Sequence, residues 1–216
     1  MIYHIDRLKE KGIKGAVYDL DGTIADSMGV WQDIYRELFS YYRIPFDGDF
    51  LSKTNHIAMA ERAELLAETY LPNQTKEEVL TIWREIVQRN YREKVRVKPH
   101  TLAAIEEQVS NGFRLSVATA TDAVCCAYFL KEKGIAQYFR AITALNEVKR
   151  SKAFPDIYLL AAKKMNLGAE ACVVFEDSLA GIMGAKRGGF CTVGVEDLHA
   201  TAEKQKILSV CDFYLE

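Results

Sequence analysis

Short apolar runs alternate with longer helix-patterned segments along most of this chain, and that alternation limits the fold more than any other feature. Gly15-Ala16-Val17-Tyr18 reads as a strand buried on both faces, and the runs at 114–118, 141–143, 172–175 and 190–194 read the same way. Helical periodicity fills 101–110, 124–133, 155–165 and 179–187 between them. Strands that are apolar throughout, separated by helices, imply βαβ crossovers around a parallel sheet covered on both faces. The expected class is α/β, with a Rossmann-like parallel sheet.

The alternation stops between residues 28 and 94. No convincing strand occurs there, and the pattern is helical throughout. Leu71-Pro72-Asn73 ends one helix, and Thr75-Lys76-Glu77-Glu78 has the form of a capping box that opens another through Trp83, Ile86, Val87 and Tyr91. A chain of 216 residues suits one α/β domain carrying such an insertion. The expected division is a core of residues 1–27 and 95–216 and a helical cap of residues 28–94. The two connections fall near 26–29 and 95–99.

Composition narrows the class. Twenty-eight Lys and Arg against thirty Asp and Glu leave a net charge of −2, too balanced for a basic nucleic-acid face or an electrostatic membrane anchor. No stretch approaches the roughly 18 apolar residues of a spanning helix. The five cysteines include no CxxC pair, as expected for reduced thiols in a cytoplasmic protein. No apolar interface stripe stands out, so a monomer is expected.

The chemistry concentrates where the first strand ends. Asp19-Leu20-Asp21-Gly22-Thr23 places two acids two residues apart just beyond Tyr18. Ligands of open parallel sheets bind outside the carboxyl ends of the strands. Adjacent carboxylates repel, and a divalent cation would relieve that repulsion.

With three later segments, this run resembles the haloacid dehalogenase (HAD) phosphohydrolase superfamily, in the group that includes the β-phosphoglucomutases. Leu115-Ser116-Val117-Ala118-Thr119 resembles its second motif, Ser151-Lys152-Ala153-Phe154-Pro155-Asp156 its third, and Val173-Val174-Phe175-Glu176-Asp177-Ser178 its fourth. The resemblance runs from about residue 13 to the C-terminus. It implies that Asp19 is the nucleophile that forms an aspartyl phosphate and that Asp21 is the general acid and base. Lys152 and Thr119 would hold the phosphate, helped by the backbone N–H groups of Leu20 and Ala120, with Thr121 competing for the role of Thr119. Asp19, the Asp21 carbonyl and Asp177 would bind Mg²⁺, with Glu176 beside them. The implied activity is a Mg²⁺-dependent phosphatase acting on a small phosphomonoester such as a sugar phosphate.

Several positions depart from the family pattern. Ala153 stands where Pro is more usual, and His100 stands where Gly is usual. In the first cap helix, Trp31 stands twelve residues after Asp19, where β-phosphoglucomutases carry His. This counts against the alternative of a phosphomutase, since an indole cannot shuttle a proton near neutral pH. A phosphonate hydrolase would lack the second acid, and the intact acid and lysine set argues against a phosphate-binding regulatory protein without turnover. In the cap, 52–56 is expected to be a loop facing the core. Lys53, Asn55, His56 and Arg62 there either contact a polar substrate or are solvated, while Trp31 and Met28 form an apolar pocket wall or pack internally.

Overall fold

Six parallel strands form one sheet in the computed structural model, which describes residues 3–54 and 56–216. They are β1 (Gly15–Tyr18), β2 (Arg114–Thr119), β3 (Phe139–Ala144), β4 (Cys172–Glu176), β5 (Cys191–Val195) and β6 (Phe213–Leu215). Their order is β3-β2-β1-β4-β5-β6, so β1 is central and the direction of winding reverses beside it. All four residues of β1 are buried, which explains its unbroken apolar run.

The helices cover both faces. Helix α1 (Ile5–Glu10) precedes β1, α6 (Pro99–Ser110) leads into β2, and α7 (Ala123–Glu132), α8 (Asp156–Lys164), α9 (Leu179–Arg187) and α10 (Lys204–Val210) lie between later strands. Alternate strand residues face opposite layers. Tyr18, Leu115, Val117 and Phe175 join one apolar cluster with Ile105 of α6 and Phe129 of α7, while Val17 and Val174 join another with Ile157 and Ala161 of α8. The Tyr18 and Phe175 rings stack at 4.3 Å across the β1–β4 pair.

Between β1 and α6 runs the helical insertion: α2 (Met28–Tyr41), α3 (Gly48–Thr54), α4 (Met59–Tyr70) and α5 (Lys76–Lys94). Among the described residues, 28–94 contain no strand. The capping box is formed: Thr75 N donates to Glu78 Oε2 at 2.8 Å, and Glu78 N to Thr75 Oγ1 at 3.3 Å. Trp83 fills the interior of the insertion, edge-on to Tyr35 at 5.4 Å. The two crossing segments pair with each other, Asp26 N donating to Arg96 O and Lys98 N to Ile24 O, both at 2.9 Å. A buried ion pair of Lys98 Nζ with Asp197 Oδ2 at 2.6 Å ties this ribbon to the loop after β5.

Two elements differ from the sequence expectation. Helix α1 and strand β6 have only six and three residues, too few to reveal a period before neighbours are known. β6 is an edge strand, recruited by pairing with β5. The five cysteines are unpaired, and among the described residues no helix is long and apolar enough to cross a membrane.

Candidate active site

Parallel register brings the four motifs to one edge of the sheet. Tyr18 pairs with Val117 on one side and Phe175 on the other, so Asp19 lies level with the ends of β2 and β4. Asp19 N donates to Phe175 O at 3.0 Å, which seats the residue just past the strand. Gly22 then turns the chain with φ +85°, and any side chain there would strike the Asp177 carboxylate. That close approach is why Gly follows the second acid.

Lys152 Nζ lies between two acids, donating to Asp19 Oδ1 and, at 2.7 Å, to Glu176 Oε1. Glu176 also accepts from Tyr158 OH and Ser178 Oγ, each at 2.9 Å. The lysine loop itself is held by α9. The Lys152 carbonyl lies where a Cβ on Gly184 would be, so only glycine allows this approach. Thr23 Oγ1 lies 3.3 Å from Asp177 Oδ1.

Three of these acids could hold a cation. Asp19, Glu176 and Asp177 are buried, and one carboxylate oxygen of each falls within a 4.8 Å cluster. Burial pushes the Asp19 carboxyl well above the usual range; Lys152 opposes this, and Glu176, Asp177 and Asp21 add to it. Burial, and then Glu176, likewise lift Asp177 to about 7. Burial alone would lower the Lys152 ammonium, but Asp19 and Glu176 prevail and hold it above the ordinary lysine value. One lysine cannot neutralise three buried carboxylates, and their hard oxygen donors suit Mg²⁺.

Asp21 is surrounded differently. Its Oδ1 accepts from Ser27 Oγ at 2.7 Å, from Trp31 Nε1 at 2.9 Å and from Tyr91 OH. Its Oδ2 accepts from Thr121 Oγ1 at 2.6 Å. Thr119 Oγ1 accepts the Thr121 N–H at 3.0 Å, so the two threonine side chains make different contacts. Trp31 is therefore more than an apolar wall, and Met28 is partly exposed.

A cavity of about 350 Å³ opens beside Lys152, lined in part by Ala120, Ser151, Ser178, Glu203 and His56. Of the candidates in 52–56, His56 lines this cavity. Ser52, Lys53 and Thr54 belong to the end of α3 rather than to a loop, because the helix continues through them. Lys53 is exposed and pairs with Asp49 at 3.5 Å. Asn55 lies outside the described residues. Arg62 is buried between Tyr35 and Trp83 and donates to Tyr35 OH. Leu20 is fully buried behind the two acids.

Sequence reasoning missed Ser27, Tyr91, Tyr158 and Glu203. The two tyrosines sit on the buried stripes of α5 and α8, where periodicity reads them as core. Their hydroxyls carry the polar role.

A parallel sheet with acids, a lysine and threonines gathered at its carboxyl edge beneath a helical insertion defines a hydrolase of the HAD type. Residues 16–195 match the haloacid dehalogenase-like hydrolases. The chain belongs to that family. It is 27% identical over 177 residues to a phosphorylated carbohydrates phosphatase of Thermotoga maritima, covering 82% of each chain. To the fructose-1-phosphate phosphatase YqaB of Escherichia coli it is 28% identical over 187 residues, covering 84% of this chain and 95% of the relative. Its fold superposes on CbbY of Rhodobacter sphaeroides, solved with phosphate, at a TM-score of 0.81 and 22% identity, covering 94% of this chain and 93% of that one.

Proposed function

We propose that this enzyme hydrolyses a small sugar phosphate or related phosphomonoester through an aspartyl phosphate on Asp19. The observation that carries this reading is the placement of Asp19 at the central strand end, against Lys152 and within the acidic cluster, with Asp21 two residues on.

In this reading residues 28–94 act as a cap over a core of 1–27 and 95–216. The Asp19 carboxylate forms a bond to phosphorus as the ester oxygen leaves, and Asp21 gives that oxygen its proton. Water then attacks phosphorus and loses its proton to Asp21. The bond from Asp19 to phosphorus breaks, releasing inorganic phosphate. Lys152, Thr119 and the backbone N–H groups of Leu20 and Ala120 orient the phosphoryl oxygens. Asp19, Asp177, Glu176 and the Asp21 carbonyl would hold Mg²⁺. When bound, the ion offsets repulsion between the nucleophile and the phosphate dianion.

The cavity size suits a small ester, and the names of the two relatives support a sugar phosphate. Trp31 favours hydrolysis over phosphoryl return to a sugar, since its indole donates to Asp21 but does not titrate and so cannot shuttle a proton near neutral pH. The test is phosphate release from p-nitrophenyl phosphate with and without EDTA, followed by a panel of phosphorylated metabolites. Release that EDTA stops and Mg²⁺ restores is expected. β-Glucose 1-phosphate should give free phosphate, if anything; sustained primer-dependent formation of glucose 6-phosphate would contradict the phosphatase reading.

A further inference from the structure

The Asp21 carboxyl group takes hydrogen bonds very unevenly. Oδ1 accepts three, from Ser27, Trp31 and Tyr91, while Oδ2 accepts one, from Thr121. A carboxylate offers about four lone-pair sites over two oxygens, so three donors saturate Oδ1. We propose that Tyr91 and Trp31 are positioning residues that lock the rotation of the Asp21 carboxyl group and present Oδ2 as its working oxygen. The proposal rests on the acid–base role given to Asp21 above.

Both donors come from the insertion, Trp31 from α2 and Tyr91 from α5, whereas Ser27 and Thr121 belong to the loops after β1 and β2. Neither ring depends on Asp21 for its place. Tyr91 is fully buried and packs edge-on to Phe129 at 5.5 Å and to Trp31 at 6.2 Å, and Trp31 also meets Tyr35 at 5.7 Å. The hydroxyl and the indole N–H are therefore rigid donors, the arrangement that holds a reactive group within a fraction of an ångström.

Helix α5 also braces the loop that carries Thr121. Two turns before Tyr91, Arg84 forms a bidentate pair with Asp122, Nε to Oδ1 at 2.9 Å and Nη2 to Oδ2 at 2.7 Å. Asp122 directly follows Thr121, the donor to Oδ2. One helix thus fixes a donor to Oδ1 and braces the loop that supplies the donor to Oδ2. Seating of α5 on the core and alignment of Asp21 become a single event.

Loss of alignment should weaken proton delivery more than phosphate binding or attack. The test compares kcat/KM, which reports steps up to departure of the alcohol, for p-nitrophenyl phosphate and glycerol phosphate. Tyr91→Phe keeps the ring and removes the donor; Trp31→Phe is the second variant. Each should lose roughly tenfold or more on the alkyl ester and about twofold on the aryl ester, whose leaving group needs little protonation. Melting temperatures should stay near wild type, and the loss on glycerol phosphate should lie in kcat rather than KM. Equal losses on both esters, or a loss confined to KM, would overturn the positioning role while leaving the phosphatase reading intact. A wild-type enzyme inactive on both esters would instead overturn the phosphatase reading, and this proposal with it.

Discussion

The strand ends and the helical insertion reach the same site by different means. At the strand ends, sheet register does the placing: Asp19, Thr119 and Glu176 come together because three parallel neighbours end level. Each polar group there is held by another, as in the chain from Asp19 through Lys152 to Glu176, Tyr158 and Ser178. In the insertion, placement follows from which face of a helix looks down. Trp31 and Tyr91 sit in an aromatic interior and reach Asp21 with one polar atom each. Strand-end chemistry is written in residue types, whereas cap chemistry is written in orientation. Changes at the strand ends should therefore act as switches and changes in the cap as adjustments.

Asp19→Asn is the sharpest switch. It is nearly isosteric but cannot attack as an anion, so turnover should fall by a factor on the order of 10⁴. The fold should hold, since one of three crowded buried carboxylates has been neutralised. Phosphate release and thermal melting check both halves, and residual activity within tenfold of wild type would remove Asp19 from its role.

The acidic cluster makes a prediction about metal and pH. Asp177 is lifted to about 7 in the fold, against about 4 in an unfolded chain. A raised carboxyl pKa gives stability that is present below the unfolded value and lost as pH rises through the folded one. Metal-free protein should therefore melt lower at about pH 8 than at about pH 5 through this group. Mg²⁺ should raise the melting temperature more at the higher pH, where it does not compete with protons. An equal gain at both would argue against these carboxylates as the ligands.

The cap should respond by degrees. Arg84→Ala breaks a charge-assisted bidentate contact with the core, and kcat/KM should drop roughly threefold to tenfold. Lys53→Ala removes an exposed partner of Asp49 and should change rates less than twofold. A larger effect at Lys53 than at Arg84 would mean that the end of α3, not α5, governs how the cap meets the site.

The same contrast explains what could be read from the chain alone. Five of the six strands and the acids beyond β1 and β4 follow from apolar runs that end in polar residues. The insertion was legible as helical through its capping box at Thr75. Which cap residues face the core was not legible. Lys53 and His56 look equally suitable in sequence, yet one points to solvent and the other lines the cavity beside Lys152. Tyr91 is indistinguishable by pattern from its buried neighbours Val87 and Ile86, because periodicity records burial and not where a hydroxyl ends. β6 was hidden by its length, three residues that become a strand only beside β5.

In the proposed mechanism the phosphoryl group passes through Asp19. Rapid acid quench during turnover of p-nitrophenyl phosphate, followed by mass spectrometry of peptides, tests this most directly. A mass gain of one phosphoryl group is expected on Asp19, absent from the Asp19→Asn variant. A phosphoryl group found on another residue, or turnover in which none is ever trapped on the enzyme, would contradict it.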